Sequence, residues 1–219
     1  LTSGGVSVAI CGPDGSGKTT LVAALCAEIG KQMKVRSYYL GGSARQSGLL
    51  RSCFRSITFP IYVLIRRFFK IVGNNRSIEL VENIYTRMDG HMMDRDKIRR
   101  LRLSVNYVNR GGIVIYERFP LFSPYGDGLM DVQNMHKEYK PDLVVLMNID
   151  SQIARERRPR DQTKRLESKV QAFNDFADRE GPYKSKLFNL DGNSPITENV
   201  SQIMLRLNAL VCENTREQK

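Results

Sequence analysis

Gly12-Pro13-Asp14-Gly15-Ser16-Gly17-Lys18-Thr19 places glycines, a lysine and a hydroxyl at the spacing G-x-x-x-x-G-K-[ST], which suits a chain of phosphates. The glycines let the backbone turn sharply and approach an anion, so that successive N–H groups face phosphate oxygens. A helix starting directly after the loop adds the positive end of its dipole. Lys18 would then reach the β- and γ-phosphates, and the Thr19 hydroxyl would join the coordination of Mg²⁺. Gly12, Asp14, Gly15, Ser16, Gly17, Lys18, Thr19 and Thr20 are therefore the expected nucleotide-binding residues, with ATP and Mg²⁺ as cofactors.

Binding a nucleotide does not say what is done with it, and two further constellations bear on that. Ile113-Val114-Ile115-Tyr116-Glu117 is an apolar run ending in a carboxylate, followed by Arg118. At the tip of a strand beside the phosphate loop, Glu117 would hold a metal-bound water or accept a proton from an attacking hydroxyl. Arg118 would neutralise an acceptor phosphate or the migrating phosphoryl group. A strand-end ion pair is the plainer alternative. Further on, Arg155, Arg157, Arg158, Arg160, Lys164 and Arg165 stand against only Glu156 and Asp161. Such a run is either a solvated helix face or a lid whose arginines meet the transferring phosphoryl while water is shut out. The expected catalytic set is Lys18, Glu117, Arg118, Arg155 and Arg158, with Thr19 and Glu117 on the metal.

The elements that must position these residues follow from the apolar pattern. Apolar β-branched runs alternate with helical stretches in the rhythm of a parallel sheet covered on both faces. Strands are expected at Val6–Cys11, Val35–Leu40, Ile113–Glu117, Leu143–Ile149 and Leu187–Leu190. A helix should start within Gly17–Thr20 and stop at Gly30, and others should cover Asp94–Arg110, Ser151–Arg179 with a break at Arg158-Pro159-Arg160, and Thr197–Cys212. The long stretch between the second and third strands is too much chain for a simple crossover. It reads as a helical insertion over the carboxyl edge of the sheet, where open α/β folds bind ligands.

Composition excludes several classes. The 219 residues contain 41% apolar and 26% charged side chains, which excludes a disordered chain, and 17 Gly with 8 Pro exclude a collagen-like one. The longest uncharged apolar run, Ile57 to Ile65, contains Pro60 and falls far short of the roughly 20 residues that cross a bilayer. No signal-peptide pattern opens the sequence, and Cys11, Cys26, Cys53 and Cys212 lack metal or CxxC spacing, so a reducing cytoplasmic compartment is expected. The first residue is Leu rather than Met, which leaves neighbouring domains open. His91 and His136 have no ligand partner at metal spacing, and Met92-Met93 reads as packing.

These residues together resemble the thymidylate kinase family of P-loop nucleoside-monophosphate kinases. Gly12–Thr20 is similar to that family's GxDGxGKTT loop, and Asn109 through Phe119 to its segment ending in Asp-Arg-Tyr. Lys140-Pro141-Asp142 with the following apolar run is similar to its PDL strand, and Arg165-Leu166-Glu167 to the end of its lid signature. The resemblance implies one P-loop kinase domain over 1–219, an α/β fold with a five-stranded parallel sheet flanked by helices. It adds a helical acceptor-side region at about 41–110 and a lid at about 151–168. It also implies acceptor contacts from Asp14 to a sugar hydroxyl, from Arg118, and from Arg95, with Arg87 as an alternative alignment, and it makes a homodimer an expectation. Departures fall on the acceptor side. Glu117 stands for the usual aspartate, Phe119 for the tyrosine, and Tyr39-Leu40-Gly41-Gly42-Ser43-Ala44-Arg45 for an Arg-Glu-Pro segment. One residue is inserted before Ser123, and Tyr125-Gly126 matches loosely.

Three functions follow as alternatives: ATP-dependent phosphorylation of a nucleoside monophosphate such as dTMP in nucleotide biosynthesis, phosphorylation of a nucleoside or sugar hydroxyl with Glu117 as base, and a non-catalytic nucleotide switch. The net charge of +11 bears on the partner, because residues 29–78 hold ten Lys and Arg and no acid. That segment would steer a nucleotide or other small anionic acceptor, or rest Phe54–Lys70 on an anionic membrane. No nucleic acid is expected, since the aromatics Phe54, Phe59, Tyr62, Phe68 and Phe69 read better as helical packing.

Overall fold

A computed structural model describes residues 5–41, 49–120, 139–157, 163–178 and 186–216. In chain order these form β1 (Val6–Cys11), α1 (Lys18–Ile29), β2 (Val35–Tyr39), α2 (Leu49–Val72), α3 (Asn75–Val108), β3 (Ile113–Glu117), β4 (Leu143–Asn148), α4 (Ser151–Arg157), α5 (Thr163–Asp178), β5 (Leu187–Asp191) and α6 (Ile196–Arg216). They group into two compact units. The first takes the described residues up to Gly41 and from Leu101 onward, and the second takes those from Leu49 to Arg100.

The first unit is built on a five-stranded parallel sheet in the order β2-β3-β1-β4-β5. Strands β1 and β3 are buried at every position, and β4 at all but its last, which is why they read in the sequence as unbroken apolar runs rather than alternating ones. Pairing of Ile10 with Glu117 and of Cys11 with Leu146 brings the carboxyl ends of the central strands to one edge. The buried Leu21, Leu25 and Ile29 of α1 and Ile203 and Leu207 of α6 join the strands in one core. Asp142 is a fastener: its Oδ2 accepts hydrogen bonds from the Ser7 amide and hydroxyl, each at 2.8 Å, which fixes the start of β4 beside β1. Ser104 near the end of α3 meets the Tyr116 hydroxyl at 2.7 Å, tying that helix end to β3.

The strand expectations agree with the structure to within a residue. The helix expected from Asp94 begins instead at Asn75, because its earlier turns scatter apolar and charged residues around the cylinder and give no single stripe. In the second unit α2 runs through Pro60, which removes one backbone hydrogen bond from an otherwise continuous helix. Gly73, at φ 74°, ends α2, and the Asn74 amide reaches back to the Phe69 carbonyl at 3.0 Å. Asn74 then caps α3 by accepting from the Ser77 amide at 3.0 Å. The two helices meet through stacked Tyr62 and Tyr85, ring centroids 4.5 Å apart, and through an Arg66–Glu82 ion pair at 2.6 Å.

Candidate active site

The phosphate loop leaves β1 at Gly12 and enters α1 at Lys18. Gly12 sits at φ 145°, and a Cβ there would lie 2.6 Å from the Met147 carbonyl oxygen, so the neck of the loop has room for glycine only. Gly17, at φ 87°, occupies the N-cap of α1, and its carbonyl accepts from the Leu21 amide at 2.9 Å. Ser16 and Lys18 are buried. The Lys18 amine donates to the Pro13 carbonyl at 2.5 Å and to Ser16 Oγ at 3.3 Å, folding across its own loop. Burial, aided by the charge of Arg118, pulls the Lys18 pKa from 10.5 to about 8 against the opposing pull of Asp14, Cys11 and Glu117.

At the tip of β3 the buried Glu117 receives a hydrogen bond from the Thr19 hydroxyl, at 2.5 Å. Two hard oxygen donors separated by nearly a hundred residues of chain thus meet beside the loop. This donor set fits Mg²⁺, which takes one or two protein oxygens and leaves its other positions to phosphate and water.

The next residue, Arg118, has a left-handed backbone at φ 59°, rare for a side chain of its size, and its amide is held by the Ile10 carbonyl at 3.0 Å. That turn swings the guanidinium back over the loop, where Nη1 lies 2.9 Å from Asp14 Oδ1 and the group covers the Tyr39 ring at 5.8 Å. Among the described residues, the buried Arg118 Nε has no hydrogen-bond partner. The other Asp14 oxygen accepts from Lys169 of α5 at 2.5 Å. Burial alone would raise the Asp14 pKa, but the Lys169 hydrogen bond and the charges of Arg118, Lys169 and Lys18 outweigh it and hold the carboxyl at about 2.

A cavity of about 510 Å³ opens between the phosphate loop, Arg118, Arg157 and the turn Gly192 to Ile196. Arg157 Nη1 donates to the Gly192 carbonyl at 3.1 Å and the Gly15 carbonyl at 3.3 Å, joining α4 to both walls.

A solved structure of deoxyadenosine kinase from M. mycoides with bound dATP aligns with 93% of this chain and 100% of its own length, at a TM-score of 0.56 and 15% identity. The fold is that of a P-loop kinase. No family model and no curated protein matches the sequence. The likeness therefore lies in the arrangement of the sheet and its helices, while the thymidylate kinase resemblance rests on the motifs alone.

Lys18, Thr19, Glu117, Arg118 and Asp14, expected from sequence, come together at this edge. Arg155 does not join them. Arg155 pairs with Glu167 of α5 instead of lining the cavity, and Arg158, with Arg160, Ser123 and Tyr125-Gly126, lies outside the described residues. Two residues along a helix turn the side chain by about 200°, so of the two arginines of α4 it is Arg157 that faces the loop. Arg95 and Arg87 belong to α3 within the second unit. Lys169 was not expected, since a lone lysine on a helix carries no spacing signal.

Proposed function

We propose that the chain transfers the γ-phosphoryl group of ATP to a nucleoside monophosphate such as dTMP. The observation that carries this reading is the meeting of Lys18, Thr19 and Arg118 around one cavity, with Glu117 held behind Thr19 by its hydrogen bond. On nucleotide binding the Lys18 amine exchanges the Pro13 carbonyl for phosphate oxygens, a move from a dipole to a full charge. Thr19 and Glu117 would hold Mg²⁺, which supplies neutralisation of charge on the β- and γ-phosphates when bound. Arg118 is fixed by Asp14, and its Nε, unpartnered among the described residues, offers a donor that an acceptor phosphate would satisfy. Arg157 lies at the cavity wall with its charge toward the loop, the role expected of a lid cation. Positioning and charge neutralisation suffice, and no covalent nucleophile is needed.

A second reading has a nucleoside or sugar hydroxyl as acceptor, with Glu117 taking its proton. It is favoured by the glutamate at this strand tip, one of whose oxygens is left free of the Thr19 bond, and by the likeness to a deoxyadenosine kinase. ADP release from Mg-ATP with dTMP, other nucleoside monophosphates, thymidine, deoxyadenosine and sugars compared side by side separates the two. Turnover with a monophosphate and none with the matching nucleoside supports the first reading. The reverse pattern overturns it in favour of the second.

A further inference from the structure

The second unit carries a surface that the phosphoryl-transfer reading does not use. One side of α2 packs on α3 through Tyr62, Tyr85 and the Arg66–Glu82 and Arg55–Asp89 pairs. Its other side bears Ile57, Ile61, Leu64, Phe68 and Ile71, all exposed, with Leu64 at 67% and Ile71 at 86%. The spacing of three or four residues puts all five on one stripe over four turns. Phe59 and Val72 are exposed as well, and α3 adds a shorter exposed run, Leu80, Ile84 and Met88. A stripe of this length open to water is well beyond the scattered apolar residues of an ordinary surface.

The charge around the stripe selects its partner. Helix α2 contains Arg51, Arg55, Arg66, Arg67 and Lys70 and no acidic residue. Arg67 is exposed at the flank of the stripe, and exposed Lys70 lies beyond it on the cationic polar face. An apolar stripe flanked by Arg67 and backed by a cationic face, on a helix that no acid interrupts, matches the two layers of an anionic bilayer surface, acyl chains beneath and phosphate headgroups above. No helix among the described residues is long and apolar enough to cross a membrane, so α2 would lie in the plane of the surface. A protein groove would satisfy the apolar stripe equally well, but it would give no reason for the absence of acid from residues 29–78.

We propose that α2 docks the protein peripherally on anionic phospholipid membranes, burying Ile57, Ile61, Leu64, Phe68 and Ile71 among the acyl chains while Arg67 meets the headgroups. The test is sedimentation of the full chain with vesicles of phosphatidylcholine alone and of phosphatidylcholine with phosphatidylglycerol. Binding to the anionic vesicles at least tenfold tighter than to the neutral ones is expected, and it should weaken as salt shortens the reach of the charges. The pair Ile61→Glu and Phe68→Glu, both at exposed sites and checked for unchanged helicity, should lower that binding at least tenfold. Arg67→Glu with Lys70→Glu should remove the preference for anionic lipid. Absence of binding to anionic vesicles, or binding that survives the Ile61→Glu and Phe68→Glu pair, overturns the proposal. So does self-association of the free chain that shields the stripe and leaves no vesicle binding, which would assign the surface to a second copy.

Discussion

Asp14 sits between two cations, Arg118 at 2.9 Å and Lys169 at 2.5 Å, and its pKa near 2 states what that contact is worth to the fold. A carboxylate whose pKa falls on folding contributes stability that is complete above its unfolded value near 3.8 and is lost as pH drops through the folded value near 2. The shift corresponds to about 2 kcal/mol. Asp14→Asn should therefore unfold more easily than the parent by about this amount at pH 7, with the gap closing below about pH 3 in denaturant titrations. A gap that persists unchanged at low pH would contradict the ion-pair origin. Lys18 behaves oppositely. With a pKa of about 8 in the free protein, it is partly neutral at pH 8, and bound phosphate must draw its proton back. ATP binding at pH 8 should take up about half a proton, read from calorimetry in buffers of different ionisation enthalpy, and should weaken as pH rises further. Both residues were legible in the sequence because the loop is a contiguous motif. Lys169 was not, because it reaches Asp14 from 155 positions away, and only the packing of α5 reveals it.

At the scale of elements, legibility followed burial. The central strands are buried on both faces, so each appears as a short apolar run, and the register of β1 with β3 and β4 brings the loop and Glu117 to one edge. The helices of the second unit were harder to delimit, because α2 passes through Pro60 and α3 mixes charge and apolar residues for its first turns. The turn between them has a compact local signature that only the backbone makes plain: Gly73 at φ 74° and the Asn74 cap. A Cβ at Gly73 meets nothing within 4 Å, so Gly73→Ala should cost only the strain of a side chain held at positive φ, about 1 kcal/mol. Asn74→Ala should cost a similar amount, about 1 kcal/mol, through the lost cap. Thermal melts of the two variants check this, and unchanged melting would mean that the turn does not hold the hairpin. The lid expectation was legible only as a run of cations. Arg155 and Arg157 are separated by rotation about α4, and sequence alone could not choose Arg157 as the residue that bonds Gly15 and Gly192.

Across the whole molecule, the loop, the strand tips and Arg157 serve one edge of one sheet, and the reaction class rests on that convergence. The +11 charge divides unevenly along the chain, and the structure resolves much of the basic excess onto a helix whose apolar side is open to water. The proposed phosphoryl transfer and the proposed surface attachment thus fall to different residues. Glu117→Gln should keep ATP affinity within a few fold while removing transfer, because the carboxylate faces Thr19 rather than the Lys18 amine. The most direct measurement is transfer of labelled γ-phosphoryl from Mg-ATP to an acceptor from the nucleotide and nucleoside panel, in parent and Lys18→Ala proteins. Labelled product formed by the parent and reduced at least a hundredfold in Lys18→Ala is expected. Label that reaches no acceptor, or that reaches one equally well without Lys18, would contradict a phosphoryl-transfer site at this loop.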